Sequence, residues 1–328
     1  IMAEYKGIKG FQVQTRTEDP SDGIAGDFYY NSTTGQFKNI VGGGAPLGSW
    51  SSGGTLNTAR GQLGGAGIQT AAIAMGGDVN PTTPRNSAVT ELYNGSSWTE
   101  VNDMNTARRG TVGAGVQPAA LVIGGYTTTQ VANVESWDGT NWTETTDTNT
   151  AASYRAAAGT QTNTLVVGGI NSSDTTVGDT EIWNGSSWTE TTNANTARYG
   201  GAAAGIYTDA IFFAGGTPVK ANTESWDGSS WTEVGDLNTA KMYIAGNGDA
   251  STSALAFGGG PGGSGVANTE SWNGSSWTEQ NDLATARYLF GGAGASNTSA
   301  LAFGNYPKSN ITEEWTAADF QIKSVTTS

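Results

Sequence analysis

The chain has 328 residues, 49 of them glycine, only 13% charged residues and a formal net charge of −14. Glycine at about twice its usual share argues against long helices, and a chain this acidic repels phosphate backbones, so no nucleic-acid partner is expected. With no cysteine and no histidine, disulfides, thiolate nucleophiles and zinc or copper sites built on sulfur or imidazole are excluded.

Residues 1–45 stand apart from the rest of the chain. They carry Lys6, Lys9 and Arg16 in an otherwise acidic chain, and the stretch from Tyr5 to Pro20 is too short to bury a core. It reads as an attachment segment that orders on a partner through Tyr5, Lys6, Lys9 and Phe11. No apolar leader is expected in it, and no run in the chain approaches the 18 apolar residues of a membrane span. Gly42, Gly43, Gly44, Ala45 and Pro46 read as a linker.

From residue 46 to residue 316 a repeat dominates. A ten-residue phrase runs from Glu91 to Glu100 and recurs from Glu135, Glu181, Glu224 and Glu270; its first aromatic falls at Tyr93, Trp137, Trp183, Trp226, Trp272 and Trp315. The steps of 44, 46, 43, 46 and 43 residues suit four short strands with tight turns, as in a propeller blade. Each unit opens with a Gly/Ala-rich strand. An apolar strand follows, ending in a glycine pair: Gly76-Gly77, Gly124-Gly125, Gly168-Gly169, Gly215-Gly216, Gly258-Gly259 and a degenerate Gly304-Asn305. Asparagine is the best non-glycine residue at positive φ, which suits Asn305 to that place. Two aromatic-bearing strands joined by Asn-Gly or Asp-Gly, a strong hairpin signal, complete the unit. Small residues belong on the innermost strands, where radial sheets converge, and indoles belong farther out between sheets.

The sixth unit stops after Trp315, one strand short, while residues 48–60 match residues 96–108 with Trp50 in the place of Trp98. The N-terminal strand is therefore expected to complete the last sheet, with Trp50 and Trp315 paired, leaving no open edge. Residues 317–328 read as a C-terminal tail.

The glycine pair after an apolar strand, the aromatic and the tryptophan five residues later resemble kelch repeats. The resemblance implies an all-β, six-bladed kelch-type propeller over 46–316. It implies nothing about activity, since kelch propellers serve many roles. The copper chemistry of the galactose-oxidase group needs histidines and a cysteine-linked tyrosine that this chain lacks. The opening residues and the near-verbatim Asn-Thr-Ala-Arg units resemble virion structural proteins, of appendage or fibre type, from marine tailed phages, especially cyanophages. Residues 26–38 are similar to a strand–turn–strand element of phage tail and fibre proteins. That likeness implies a non-enzymatic virion protein, assembled in the host bacterial cytoplasm, in multiple copies. It would attach to other virion proteins through the N-terminal segment and touch a host-surface glycan or protein. An intracellular protein-interaction adaptor and a glycan-active enzyme are the alternatives.

Two sets of ionisable residues recur once per unit: glutamates 91, 135, 181, 224, 270 and 313 or 314, and Arg60, Arg108, Arg155, Arg198, Lys241 and Arg287. Six equivalent copies point to a structural pairing, so no catalytic residue, cofactor or metal is assigned. The units differ between the glycine pair and the next glutamate, over 78–90, 126–134, 170–180, 217–223, 260–269 and 305–312. Strand alternation brings these loops to one face, and loops on a rigid scaffold carry binding residues. The non-repeating Arg85, Tyr126, Asp174, Lys220, Tyr306 and Lys308 are the candidates there.

Overall fold

Asn-Gly and Asp-Gly turns hold the third and fourth strands of each repeat in register. In the first, Asn94 Oδ1 accepts from the backbone N–H of Ser96 and Ser97, with Gly95 at φ +87°, and Tyr93 then faces Trp98 across the hairpin. In the computed structural model, which describes residues 13–18, 28–41, 47–318 and 321–324, this hairpin extends into a four-stranded antiparallel sheet. Its strands are Gly64–Ile68, Ala71–Met75, Thr90–Tyr93 and Trp98–Val101, in that order. The pattern repeats down the chain, so the fold is all-β and propeller-like, with six such sheets in a unit spanning Ser49–Ala317. In the last of them Ser49–Ser52 pairs antiparallel with Thr312–Thr316, Trp50 opposite Trp315.

The first strands lie against one another in chain order, and Gly291–Ser296 of the last sheet lies against Gly64–Ile68 of the first. Backbones approach so closely there that a Cβ on Gly65 would stand 2.4 Å from the carbonyl oxygen of Gly292, and one on Gly113 2.5 Å from that of Gly65. The small residues of these strands are thus a steric requirement. The second strands are buried on both faces, as in Ala72, Ile73, Ala74 and Met75, and tryptophans fill the widening space between sheets. Most of the fourth-strand indoles also reach back one sheet: Trp98 Nε1 donates to Thr312 Oγ1, Trp142 to Thr90, Trp231 to Thr180, Trp277 to Thr223 and Trp50 to Thr269. The exception is Trp188, whose counterpart position holds Val134; its N–H turns to the Thr146 carbonyl instead.

The repeated ionisable residues pair within this frame. Glu91 accepts from Arg60 at 2.8 Å, from the backbone N–H of Asn57 and Thr58, and from the Asn57 side-chain amide. Arg108–Glu135, Arg155–Glu181, Arg198–Glu224, Lys241–Glu270 and Arg287–Glu313 repeat the pair, every side chain at 2% exposure or less. Each loop of Asn-Thr-Ala-Arg type is thereby stapled to the sheet that follows it. The sixth glutamate is Glu313; Glu314 accepts from the Tyr93 hydroxyl in the next sheet.

Two sequence readings are corrected. In the fourth unit the left-handed pair is Ala214 (φ +61°) and Gly215 (φ +114°), one residue earlier than Gly215-Gly216, because Phe213 ends the strand where Met75 ends the first. Asn305 does not have positive φ; its side-chain oxygen instead accepts from the N–H groups of Tyr288 and Tyr306. A buried alanine held left-handed is strained by ~1 kcal/mol, so Ala214→Gly is expected to raise the thermal midpoint by a few degrees, read by calorimetry. A lowered midpoint would show that the methyl group packs more favourably than its backbone is strained.

The second unit draws on residues up to Gly48 and from Ala318 onward. Gln14–Arg16 runs parallel to Phe28–Asn31, which forms a hairpin with Gln36–Val41. Residues 317–328, read from sequence as a tail, contribute Gln321–Ser324 as the fourth strand. Phe28 and Phe37 stack at 5.5 Å while each stays 45% exposed. The attachment residues Tyr5, Lys6, Lys9 and Phe11 and the linker 42–46 lie outside the described residues.

Candidate functional site

Two residues after the end of each Asn-Thr-Ala-Arg-type loop, at Arg60, Arg108, Ala152 (the third unit carries its arginine later, at Arg155), Arg198, Lys241 and Arg287, the chain turns left-handed. Gln62, Gly110, Tyr154, Gly200, Tyr243 and Leu289 have φ between +53° and +64°. Their backbones form a complete cycle of hydrogen bonds. Each N–H donates to the carbonyl of the preceding member, Gly110 to Gln62 and so on to Leu289, and Gln62 donates to Leu289, at 2.5–3.1 Å. A second cycle links the loops: the N–H groups of Gly77, Gly125, Gly169, Gly215, Gly259 and Asn305 donate to the carbonyls of Arg108, Ala152, Arg198, Lys241, Arg287 and Arg60. The connections between second and third strands are thus pinned to those between fourth and first strands, all at one end of the sheets.

Tyrosine and leucine in the left-handed region are uncommon, and such outliers persist only where the surroundings fix them, commonly at functional sites. Here they surround the mouth of a cavity of about 140 Å³ where the first strands converge, lined by Gln62, Tyr154, Tyr243, Leu289 and the glycines and alanines of those strands. The tyrosines cover their glycine neighbours: a Cβ on Gly110 would meet the Tyr154 ring at 3.1 Å, and one on Gly200 the Tyr243 ring at 2.9 Å. Tyr154, Tyr199 and Tyr243 pack mutually, with centroids 5.5–6.3 Å apart.

A polar chain runs from this cluster outward. The Tyr154 hydroxyl donates to Gln62 Oε1 at 2.6 Å, and Gln62 Nε2 donates to Asp78 Oδ2 at 3.1 Å. Asp78, only 1% exposed, also holds Arg85 in an ion pair. Burial pushes the Tyr154 hydroxyl up to about 12 and raises Tyr243 and Tyr288, so these hydroxyls are protonated donors at neutral pH. Because the unfolded chain ionises its tyrosines near pH 10 while Tyr154 keeps its proton, stability is full below pH 10 and falls as pH rises toward 12. Tyr154→Phe is expected to flatten that decline in an alkaline unfolding titration; an unchanged slope would contradict the assignment.

The six loop candidates differ in their settings. Arg85 hydrogen-bonds Asp78 and lies close to Tyr306, which meets Tyr288 edge-on at 5.7 Å. Tyr126 lies beneath Arg109, whose guanidinium sits 4.4 Å from the ring centroid and donates to Asn86 Oδ1. Asn86 follows Arg85 in the chain, so Arg85, Tyr306, Arg109 and Tyr126 share one stretch of rim. Asp174 accepts from Gln130. Lys220 contributes main-chain hydrogen bonds to Gly215 and Lys241, and Lys308 is exposed. Comparison of the units does not single out Gln62, Asp78, Arg109, Tyr154 or Tyr243. Tyr154 and Tyr243 share one repeat position, but the other units hold glutamine, glycine or leucine there, and a left-handed tyrosine has no sequence signal. The only legible sign is Arg109, which follows a repeat arginine where no other unit places a second base.

Among the described residues no group of three or more acidic, histidine or cysteine side chains could hold a metal ion, and no helix is long and apolar enough to cross a membrane. No protein-family profile matches this chain, and neither does any curated protein.

Proposed function

We propose that Ser49–Ala317 is a six-bladed kelch-type β-propeller, its sixth blade completed by the strand Ser49–Ser52. The pairing of Trp50 with Trp315 and the two hydrogen-bond cycles that return to Gln62 and Arg60 support this reading. The protein is a non-enzymatic structural component of a phage virion. It is held to other virion proteins in multiple copies through its N-terminal segment and presents one loop face for recognition.

One observation carries the non-catalytic part. The arginine or lysine and the glutamate that recur at the start of the phrase are consumed in buried pairs out of reach of substrate, while Arg85, Tyr126, Tyr306 and Lys308, which do not recur, lie on one rim. A rigid ring with a variable lip is a display device. The exposed Phe28–Phe37 stack of the smaller unit supports the attachment role, since exposed apolar patches mark interaction surfaces.

Mass spectrometry of density-banded virions from an infected host tests the assignment. The account expects the full chain in the particle in several copies, resistant to salt washing. Its absence from particles that contain the known capsid and tail proteins would overturn the virion role.

A further inference from the structure

The charges of the propeller unit are sorted by face. Between Ser49 and Ala317 the lysines and arginines are Arg60, Arg85, Arg108, Arg109, Arg155, Arg198, Lys220, Lys241, Arg287 and Lys308. Six of them are the buried partners of the repeat glutamates. All four others, Arg85, Arg109, Lys220 and Lys308, lie in the connections at the tyrosine-lined end. The turns at the opposite end carry aspartates such as Asp138 and Asp227 and no base; hydrogen bonds from Ser229 and Ser230 hold Asp227 down at about 2. In a chain of net charge −14, every accessible cation of the ring thus stands on one face, which offers an anion contacts that the opposite end lacks. The aspartates of that face at 103, 147, 236 and 282 sit two to three residues beyond the outermost strands, toward the periphery, and Asp174 and Asp179 lie in the connection of the third sheet, away from Arg85 and Arg109 in the chain.

Two of the cations are fixed in place before any ligand arrives. Arg85 is anchored by the buried carboxylate of Asp78, yet its own side chain is 43% exposed, so part of its fork faces solvent. Arg109 is held by Asn86 and by the ring of Tyr126. Guanidinium groups so oriented bind carboxylate or sulfate with less ordering cost than free side chains. Near them stand Tyr306, edge-on to Tyr288, and the hydrogen-bonded Tyr154 hydroxyl and Gln62 amide at the cavity where the first strands converge. Aromatic faces with hydroxyl and amide groups match the alternating apolar and hydroxyl faces of a sugar ring.

We infer that this rim binds an acidic carbohydrate, with the carboxylate or sulfate of the sugar on Arg85 and Arg109 and its ring against the flanking tyrosines. The inference rests on the recognition-face reading of the proposed function and supplies its ligand class.

Titration calorimetry on the full chain tests it with four probes: an oligo-uronate, a sulfated oligosaccharide, a neutral β-glucan oligomer and poly-glutamate. The uronate or the sulfated sugar is expected to bind at least ten times tighter than the neutral one, and which of the two wins names the anion. Affinity should fall steeply between 50 and 500 mM salt. Arg109→Gln should weaken binding at least ten-fold and Arg85→Lys several-fold, since lysine keeps the charge but loses the fork. Asp227→Asn, on the opposite end, should leave binding unchanged. If Arg109→Gln does not fold, the salt dependence and the neutral probe still decide. Equal binding of the neutral sugar, equal binding of poly-glutamate, or no binding of either acidic sugar overturns the inference. Presence in virions without acidic-sugar binding removes this inference alone; binding without presence in virions removes the virion role alone.

Discussion

Truncating Arg198 to alanine is expected to lower stability by about 3–5 kcal/mol, the cost of leaving a buried charge without its partner, and to bring down the thermal midpoint by roughly ten degrees. Glu224 is fully buried, and its carboxylate takes hydrogen bonds from Arg198 and from the N–H groups of Asn195 and Thr196. Arg198 also donates to the Phe212 carbonyl at 2.8 Å and stacks 3.9 Å from the centre of that ring. Burial lowers the Arg198 pKa while Glu224 opposes the shift, so the cation depends on its partner. Its removal strands the carboxylate together with the carbonyls of Phe212 and Thr196, to both of which Arg198 donates. Arg198→Lys should cost less, because the fifth unit already functions with Lys241, whose Nζ lies 2.9 Å from Glu270 Oε1. Calorimetry or urea titration reads both variants. A loss below about 1 kcal/mol for Arg198→Ala, the value of an exposed pair, would mean that the pairs do not staple the sheets.

Removing the strand Ser49–Ser52 is the larger perturbation. A chain from Asn57 to Ala317 keeps the Asn57 contacts to Glu91 but exposes the whole edge of Thr312–Thr316. It also takes Trp50 from its contacts with Trp315 at 5.5 Å and Phe257 at 5.0 Å, and leaves Thr269 without the indole donor. Loss of a packed tryptophan alone costs about 3–5 kcal/mol, and an unpaired edge is a template for aggregation. This chain is expected to aggregate or to melt at least ten degrees lower, by light scattering and calorimetry. A chain from Leu47 to Ala317 lacks the same strands of the smaller unit but keeps Ser49–Ser52, and should stay monomeric with a near-native midpoint. Equal behaviour of the two would contradict the role assigned to the strand.

Much of this frame was legible because the steric rules that build it act on residue types. Glycine and alanine recur where backbones come within a Cβ of each other, tryptophan recurs where sheets diverge, and Asn-Gly or Asp-Gly marks each hairpin between third and fourth strands. The arginine–glutamate pairing was also readable from its sixfold recurrence, although only packing chooses Glu313 over Glu314. What escaped was conformation carried by residues that do not advertise it. Ala214 takes a glycine's backbone angles because the strand before it is in register with its neighbours, and Asn305 satisfies its surroundings with its side chain and so needs no left-handed turn. The rim was half visible. Arg85, Tyr126 and Tyr306 stand out as non-repeating, but Tyr154 and Tyr199 come from different positions of their repeats and meet only because adjacent loops bring them to one mouth. The strand Gln321–Ser324 carries no pattern that separates it from a tail.

The most direct measurement exploits the absence of cysteine. Ser49 and Thr316 face each other across the last sheet, both exposed, at a spacing that opposed antiparallel residues share with disulfides. In the Ser49→Cys, Thr316→Cys variant, the account predicts rapid and complete oxidation to a monomeric cross-linked product in native buffer, and little in urea. Two free thiols after native oxidation, or disulfide-linked dimers instead, would contradict it.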